Sequence, residues 1–367
     1  MNAVMTGLPL AGKTCLFDAL SGGAVDSAAA PARPDHPNAA MVAVPDSRLD
    51  WLADHYRAPK RTPVQIEFLD LPGMAPGRAD LASQNTAIQE YLRRADVLVA
   101  VLRGFESSRV PGPYGSGLNK VRTDPKADLA VLHGEFLLSD LDITLRRMEK
   151  LEKQVAKPSP DREAIRRELE FLGRCRQALE AEQPLHGVAK SDAERNILRG
   201  FAAITEKPVL AVLNIGEDQA GDPAAAAARQ AGLPQPLVAL CASLEAEIAR
   251  LAPDERPAFM KEMGLDRLHA ADVVLGVHAA LNRITFFTAR EKEAAARSVV
   301  RGTTAHDAAG EVHTDMAKGF IRAEVVTFED FKRAGGLKQA RAEGLVRIEG
   351  RDYVVRDGDV ILFHFSR

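Results

Sequence analysis

The chain has 367 residues, of which 46% are hydrophobic and 27% charged, and its formal net charge at pH 7 is −3. This length is enough for two or three domains with cores of their own. The small net charge excludes a polycationic nucleic-acid binder, so any nucleic-acid surface has to be a local patch. No apolar run approaches the roughly 20 residues of a membrane span, so we expect no membrane association.

The cysteine content indicates a reducing compartment. The chain has 3 cysteines, Cys15, Cys175 and Cys241, and none form a C-x-x-C pair. This usage is typical of cytoplasmic proteins. We also expect no signal peptide, because the first residues carry the motif described next. Cys15 is expected to be a small buried residue of a helix.

The first motif in chain order is a phosphate-binding loop. A short apolar run at residues 3–6 precedes the sequence GLPLAGKT, and apolar residues at helical spacing follow it. This strand, loop and helix fit G-x-x-x-x-G-K-[ST], in which backbone N–H groups and a lysine surround phosphates and the hydroxyl ligates Mg²⁺. The predicted phosphate-binding residues are Gly7, Leu8, Pro9, Leu10, Ala11, Gly12, Lys13 and Thr14.

A series of β-rich apolar runs predicts the rest of the first domain. The runs lie at residues 41–44, 64–69, 97–102, 209–213 and 237–240, and helical patterns separate most of them. This alternation is typical of an α/β domain with a mostly parallel sheet. Asp70, Asn214 and Ser243 follow three of these runs. Ligand sites in such sheets lie at the carboxyl ends of the strands.

The series is interrupted by a helical hairpin. Between residues 127 and 185 there is no strand signal, and Leu141, Leu145, Met148 and Val155 keep near-heptad spacing until prolines at 158 and 160. A second helical pattern follows. The sequence therefore predicts an inserted antiparallel helical hairpin, resembling a coiled coil.

A small α+β domain is predicted at the C-terminus. Short alternating strands are expected at residues 284–288, 323–326, 346–348, 352–355 and 360–363, with two short helical stretches between them. The predicted domains are a P-loop domain at 1–126 and 186–283, the hairpin at 127–185, and the α+β domain at 284–367.

Two later motifs extend the nucleotide site. Asp70-Leu-Pro-Gly73 closes a predicted strand, and in P-loop hydrolases such an Asp holds Mg²⁺ while the Gly amide contacts the outermost phosphate. Thr14 and Asp70 are therefore the predicted metal residues. Met74 follows Gly73 where many GTPases have a glutamine that orients water, and an apolar side chain cannot do this.

Base recognition is predicted at Asn214, Glu217 and Ser243. GTPases usually have N-K-x-D after this strand, whereas the chain has Asn214-Ile-Gly-Glu217. Ser243 occupies the place of a second base-contacting loop. The missing N-K-x-D is evidence against a GTPase, although a GTPase with a different base pocket stays an alternative.

With these motifs in this order, the chain resembles the YchF/Obg-like ATPase family over nearly its whole length. The resemblance includes VPDSRLD at 44–50, FMKEMG at 259–264, HTDMAKGFIRAE at 313–324 and DYVVRDGD at 352–359. The last two resemble the C-terminal TGS-type, ubiquitin-like module of that family. The resemblance implies a ribosome-binding P-loop NTPase that prefers ATP, uses Mg²⁺ and acts in translation or stress response. No DNA partner is expected, and the sequence does not indicate an oligomeric state.

Several departures from the family pattern affect hydrolysis more than binding. The family has a polar Asn where this chain has Leu10, and its threonine for Mg²⁺ has no counterpart in residues 30–38, where Pro34 and Asp35 lie. The family's histidine is missing from residues 107–117. A nucleotide-sensing module that barely hydrolyses is therefore a second alternative.

The C-terminal residues that could contact RNA are Lys318, Arg322, Lys332 and Arg333, with Phe320 for stacking. Acidic residues are about as frequent there, so an ordinary charged surface is an equally good interpretation. His313 is expected to cap a helix or to pack, since no second metal ligand lies at a suitable spacing.

Overall fold

The computed structural model describes residues 1–23, 32–33, 36–76, 81–106, 123–158, 160–228 and 232–366. The chain divides into two compact units. The first unit comprises Met1–Ala40 and Glu67–Val273, and the second comprises Met41–Ile66 and Val274–Arg367. The chain therefore contributes to the second unit twice, first with a short internal segment and then with its C-terminal part.

The strands and helices are numbered in chain order. The strands are β1 (Asn2–Thr6), β2 (Asn38–Ala43), β3 (Lys60–Thr62), β4 (Gln65–Asp70), β5 (Val97–Arg103), β6 (Val209–Asn214), β7 (Leu237–Leu240), β8 (Arg283–Arg290), β9 (Glu293–Val300), β10 (Phe320–Thr327), β11 (Arg347–Glu349) and β12 (Asp359–Phe365). The helices are α1 (Lys13–Ser21), α2 (Ser47–Tyr56), α3 (Ala82–Arg94), α4 (Pro125–Val155), α5 (Arg162–Glu180), α6 (Asp192–Phe201), α7 (Pro223–Ala228), α8 (Ala242–Arg250), α9 (Arg256–Glu262), α10 (Ala270–Ala280), α11 (Ala305–Val312), α12 (Thr314–Lys318), α13 (Phe328–Ala334) and α14 (Leu337–Ala342). A 3₁₀ turn lies at Glu217–Gln219.

The first sheet has six strands in the order β2-β4-β1-β5-β6-β7. Strands β4, β1, β5, β6 and β7 pair in parallel, and Val4 of β1 lies opposite Leu69 on one side and Leu98 on the other. Strand β5 is buried along its whole length, as expected for a central strand covered on both faces. The predicted α/β fold with a mostly parallel sheet is confirmed. Thr6, Asp70 and Asn214 end three of these strands and therefore lie together at the carboxyl edge of the sheet.

Helices α4 and α5 form an antiparallel pair, which we call the helical arm. Arg147 of α4 pairs with Glu168 of α5 at 2.7 Å, and Leu137 of α4 shares a buried cluster with Cys175 of α5. The residue earlier in α4, Leu137, thus lies near the residue later in α5, Cys175, which makes the pair antiparallel. Leu145, expected between the helices, is exposed instead.

Asp128, in the first turn of α4, yields a pH-dependent prediction. Burial raises its pKa to about 6, with a further rise from the Asp124 carboxylate and a lowering from Arg103. Between pH 4 and 6 the Asp128 carboxyl is therefore protonated in the folded state but ionised in the unfolded chain. Its contribution to the free energy of unfolding falls as the pH rises through this range. Asp128→Asn is expected to stabilise the protein by about 1 kcal/mol at pH 7.5 and by about half of that at pH 5.

Urea unfolding of wild type and Asp128→Asn at both pH values measures this difference. Asp142→Asn is the matched control, because Asp142 is an exposed residue of the same helix. The prediction is wrong if Asp128→Asn gives the same change in unfolding free energy at both pH values.

The second unit contains a mixed sheet of six strands in the order β11-β10-β12-β8-β9-β3. Strand β10 is antiparallel to β11 and β12, β12 is parallel to β8, and β8 and β9 form an antiparallel hairpin. Phe286, Phe363 and alanines of α11 form its core on one face. This small α+β unit agrees with the prediction, except that residues 352–355 contain an isolated bridge from Val354 to Thr304 rather than a strand.

The internal segment Met41–Ile66 belongs to the second unit by its contacts. Strand β3 pairs in parallel with β9. Trp51 of α2 contacts the edges of Phe328 and Phe331 at centroid distances of 5.6 and 6.2 Å, and Arg48 pairs with Asp357 at 2.7 Å. The predicted P-loop domain, residues 1–126 and 186–283, included this segment, because the apolar runs at 41–44 and 64–69 were interpreted as strands of its sheet.

None of the helices in the described part of the chain combines the length and the apolar composition that a membrane span needs.

Candidate nucleotide site

A cleft of about 930 Å³ lies at the carboxyl edge of the first sheet. The predicted site residues that line it are Pro9, Leu10, Gly12, Lys13, Thr14, Gly73, Asn214, Glu217 and Ser243. The other predicted residues, Gly7, Leu8, Ala11 and Asp70, are buried behind this lining. The structure thus brings the predicted phosphate, metal and base residues to one place.

Lys13 begins helix α1 and is 5% exposed. Its Nζ donates to the carbonyl oxygens of Gly7 and Leu8, at 3.3 and 3.0 Å. Burial lowers the pKa of Lys13 to about 8, although the Asp70 carboxylate acts in the opposite direction. A phosphate in the cleft would supply the negative charge that this desolvated ammonium group lacks.

Thr14 and Asp70 form the candidate magnesium site. Thr14 Oγ1 donates to Asp70 Oδ2 at 2.9 Å, and Asp70 Oδ1 is buried without a hydrogen-bond partner among the described residues. Burial raises the pKa of Asp70, while the Thr14 hydrogen bond, the Lys13 charge and the nearby Asn38 side chain lower it. A divalent cation, directly or through a bound water, would satisfy this carboxylate oxygen. The two residues therefore fit Mg²⁺.

Gly73 lies against the phosphate-binding loop, and this contact explains the glycine. A Cβ at Gly73 would lie 2.6 Å from the backbone N and Cα of Pro9. The next residue, Met74, donates its backbone N–H to the Gly7 oxygen at 3.2 Å. Its side chain is buried in the hydrophobic core. Met74 therefore does not line the cleft and does not orient water there.

Asn214 connects two loops of the site. Its Nδ2 donates to the Ala11 oxygen at 2.9 Å, and its Oδ1 accepts from the Ala242 N–H at 3.0 Å. Gly12, at φ +92°, has to be glycine, because a Cβ would overlap Asn214 Nδ2. Asn214 therefore holds the phosphate-binding loop against the start of α8, a role that the sequence does not indicate.

Glu217 and Ser243 are exposed residues of the cleft wall. Glu217 begins the 3₁₀ turn after β6, and Ser243 lies in the first turn of α8. Ser243 Oγ lies 3.4 Å from Cys241 Sγ. These two polar groups face the cleft and are available to a base, whereas both atoms of the Asn214 amide already bond within the protein.

Phe105 and Glu106 also line the cleft, although neither was among the predicted site residues. The Arg103 guanidinium lies 4.8 Å from the centre of the Phe105 ring, and its Nε donates to the Phe105 oxygen at 3.3 Å. Their position directly after β5, at the carboxyl edge, was the available signal.

The expectation for Cys15 is wrong. Its side chain is exposed and lines the cleft. The buried face of α1 is formed by Lys13, Leu16, Phe17, Asp18 and Leu20. Cys15 lies off this stripe, because successive helix residues are about 100° apart.

Pro34, Asp35 and residues 107–117, which bear on the predicted departures from the family pattern, lie outside the described residues.

Leu10 has an unfavourable backbone conformation. Its φ is +63°, in the left-handed region, and its side chain is 51% exposed. Left-handed backbone costs an L-residue about 1–2 kcal/mol, and glycine avoids most of this cost. We expect Leu10→Gly to raise the free energy of unfolding by about 0.5–1 kcal/mol in urea titrations. The control Leu138→Gly, at an exposed position within α4, should lower the free energy of unfolding by about 1 kcal/mol. The prediction is contradicted if both substitutions change the free energy of unfolding in the same direction.

The residues of the second unit that were predicted to contact RNA differ in burial and in their partners. Phe320 is buried in the core and cannot stack on a base, so that expectation is wrong. Arg333 pairs with Asp330 at 2.7 Å, and Lys332 Nζ lies 5.9 Å from the Trp51 ring. The remaining candidates, Lys318 and Arg322, are exposed. His313 accepts the Asp315 N–H at the start of α12 and caps it, as expected.

Comparison with known proteins identifies the family. The model YchF-GTPase_C, described as a protein of unknown function (DUF933), matches residues 283–366. The chain is 32% identical to the ribosome-binding ATPase YchF of Bacillus subtilis (strain 168) over 372 residues, covering 100% of this chain and 99% of that protein. The chain belongs to the YchF family. The YchF protein of Escherichia coli O157:H7, also named a ribosome-binding ATPase, is 33% identical over 99% of this chain and 98% of its own.

Two further relatives extend the comparison. Obg-like ATPase 1 of Caenorhabditis elegans is 29% identical over 98% of this chain and 91% of its own. The solved structure of the Schizosaccharomyces pombe YchF GTPase matches with a TM-score of 0.80 at 24% identity, covering 99% of this chain and 97% of its own. This match shows that the chain has the YchF fold. The relatives' names differ in the nucleotide, ATP or GTP, which leaves the base preference to be tested.

Proposed function

We propose that this YchF-family chain is a ribosome-associated P-loop nucleoside triphosphate hydrolase that binds ATP with Mg²⁺ in preference to GTP. It would act in the cytoplasm as a nucleotide-dependent switch in translation or stress response. The observation that carries the proposal is the convergence of Lys13, Thr14 and Glu217 on one cleft, with Asp70 bonded to Thr14 behind it. The names of the bacterial relatives support ribosome binding and ATP hydrolysis.

The residues of the cleft divide the binding of a nucleotide between them. The Lys13 ammonium group exchanges its bonds to backbone carbonyls for bonds to the outer phosphates, and the N–H groups at the start of α1 face the same anion. Gly73 offers its N–H to the outermost phosphate. Thr14 and Asp70 would hold Mg²⁺, which when bound neutralises phosphate charge and polarises the terminal phosphoryl group.

Slow hydrolysis is part of the proposal. The buried Met74 leaves the attacking water without the side chain that orients it in many GTPases. A second candidate function follows from the same observation, namely a nucleotide sensor that binds ATP and barely hydrolyses it. Single-turnover kinetics, compared with equilibrium binding, separates the two functions.

The base preference is tested by competition. A fluorescent ATP analogue bound with Mg²⁺ is displaced by ATP or by GTP, and ATP is expected to bind at least tenfold more tightly, which is about 1.4 kcal/mol. The physical reason is that a guanine site usually needs a carboxylate that accepts from two ring donors, and the chain has Asn214-Ile-Gly-Glu217 instead of N-K-x-D.

Glu217→Gln is expected to change the ratio of ATP to GTP affinity, whereas Asp218→Asn, at the adjacent exposed cleft residue, should leave it unchanged. Tighter binding of GTP would overturn the ATP preference and make the GTPase alternative the better one. Ribosome association is tested by co-sedimentation with and without Mg–ATP, and Lys13→Ala should abolish any nucleotide effect.

A further inference from the structure

Among the described residues, the side chain of Asn85 bonds helix α3 to the loop that follows Gly73. Asn85 Oδ1 accepts the Ala75 N–H at 3.2 Å, and Asn85 Nδ2 donates to the Ala75 oxygen at 3.0 Å. One amide group thus satisfies both backbone groups of Ala75, as a neighbouring strand would. Because Ala75 is two residues after Gly73, this pair of bonds fixes the position of the Gly73 N–H.

The other end of α3 is bonded to the helical arm. Arg93 Nη1 donates to Asp140 Oδ1 at 2.9 Å and to the Ala202 oxygen at 3.3 Å. Its Nη2 donates to the Ser139 oxygen at 3.0 Å and to Ser139 Oγ at 2.7 Å. Asp140 and Ser139 belong to α4, so this guanidinium ties the end of α3 to the first helix of the arm.

The helix between these two ends is packed into the core. Ile88 and Leu92 are buried in one hydrophobic cluster with Met74 on the loop side and with Leu132 and Phe136 of α4. Asn85 and Arg93 are eight residues apart, which corresponds to about 12 Å along the helix axis. A packed helix of this length moves as one body, because its side chains cannot shift independently of the cluster.

We propose that Asn85 is a positioning residue for the outermost phosphate, and that α3 transmits the position of the Gly73 loop to the helical arm through Arg93. The inference rests on the proposed function of the cleft. When the outermost phosphate draws in the Gly73 N–H, Ala75 moves with it, Asn85 follows Ala75, and Arg93 shifts Ser139 and Asp140. The arm therefore distinguishes a triphosphate from a diphosphate.

The test compares nucleotide affinities with hydrogen exchange in the arm. The variants are Asn85→Ala and Arg93→Lys. The lysine keeps the charge beside Asp140 but loses the planar fork, which donates to four acceptor atoms on three residues. Gln84→Ala and Arg94→Lys are matched controls, since both side chains lie on α3 and bond to none of the described residues. Affinities for ADP and for a non-hydrolysable ATP analogue are measured with Mg²⁺, and amide exchange of α4 and α5 is followed with each nucleotide.

We expect Asn85→Ala to bind ADP within twofold of wild type and the ATP analogue five- to tenfold more weakly, with no difference in arm exchange between the nucleotides. Arg93→Lys should keep both affinities and lose the arm response, and the controls should behave as wild type. A wild type that binds neither nucleotide overturns the proposed function and this inference with it. A wild type that binds both, with Asn85→Ala indistinguishable from Gln84→Ala, overturns this inference alone.

Discussion

Replacement of Lys13 by alanine is expected to weaken Mg–ATP binding at least a hundredfold without destabilising the nucleotide-free protein. Hydrogen bonds between charged groups contribute about 1.5–3 kcal/mol each, and Lys13 is placed to make two of them to outer phosphates. The nucleotide-free protein bears the cost of burying this ammonium group, as the lowering of its pKa to about 8 indicates. Removal of the charge should therefore leave the free energy of unfolding unchanged or raise it.

Titration calorimetry with Mg–ATP and urea unfolding without nucleotide measure the two effects. Lys60→Ala is the control, because Lys60 is an exposed lysine of the second unit that pairs with Glu293 at 2.8 Å. Its loss should change neither the affinity nor the stability by more than a few tenths of a kcal/mol. Equal ATP affinity in Lys13→Ala and wild type would remove the phosphate-binding role from residues 7–14.

The parallel sheet and the helical arm could be predicted because their patterns are strong. The apolar runs that became β1, β5 and β6 contain almost no polar residues, as fits strands covered on both faces. The arm has near-heptad apolar positions interrupted by two prolines, which indicates a turn between two helices. These signals are local, so a single sequence is enough to detect them.

In the second unit, local sequence patterns do not predict several of the strands correctly. Strand β9 is rich in alanine, a weak strand former, and its alanines 294–296 are buried in the sheet. Strand β3 has three residues and is recognised only by its pairing with β9. Residues 352–355 alternate like a strand, but Tyr353 bonds to Asp359 at 2.8 Å in a local turn structure. Contacts between distant segments decide these cases, and no local pattern records them.

The candidate site was largely predictable because its parts follow a local motif and the carboxyl-edge rule of parallel sheets. Lys13, Thr14, Gly73 and Glu217 converge as these two rules predict. The bonds of Asn214 were not predictable, since its amide joins Ala11 and Ala242, which lie far apart in sequence. The predicted roles of Asn214, Glu217 and Ser243 in base recognition stay predictions.

Replacement of Asp140 by alanine is expected to lower the free energy of unfolding by about 3–5 kcal/mol. Asp140 is 0% exposed, and its carboxylate accepts from Arg93 at 2.9 Å, from the Ile204 N–H at 3.0 Å, and from the N–H and Oγ1 of Thr205 at 2.8 and 2.9 Å. Its loss leaves a largely buried guanidinium without its counter-ion and two backbone N–H groups without acceptors. Each of these consequences costs more than the mean value of a hydrogen bond.

Asp140→Asn separates the charge from the hydrogen bonds. The amide keeps one acceptor oxygen, so about 1.5–3 kcal/mol is expected to be lost. Asp142→Ala is the control, because Asp142 lies in the same helix and pairs with Arg146 at the surface, where the loss should stay below about 0.5 kcal/mol. Urea unfolding at pH 7.5, followed by circular dichroism, gives all three values.

The location of the destabilised segments in Asp140→Ala provides a second test of the role of this carboxylate. Asp140 joins three segments of the first unit, namely α3 through Arg93, α4 itself, and the connection before β6 through Ile204 and Thr205. Amide exchange in Asp140→Ala should therefore increase at these segments and stay unchanged in the β8–β9 hairpin of the second unit. A loss of stability no larger than that of Asp142→Ala would mean that apolar packing in the core, rather than this carboxylate, holds the arm to the sheet domain.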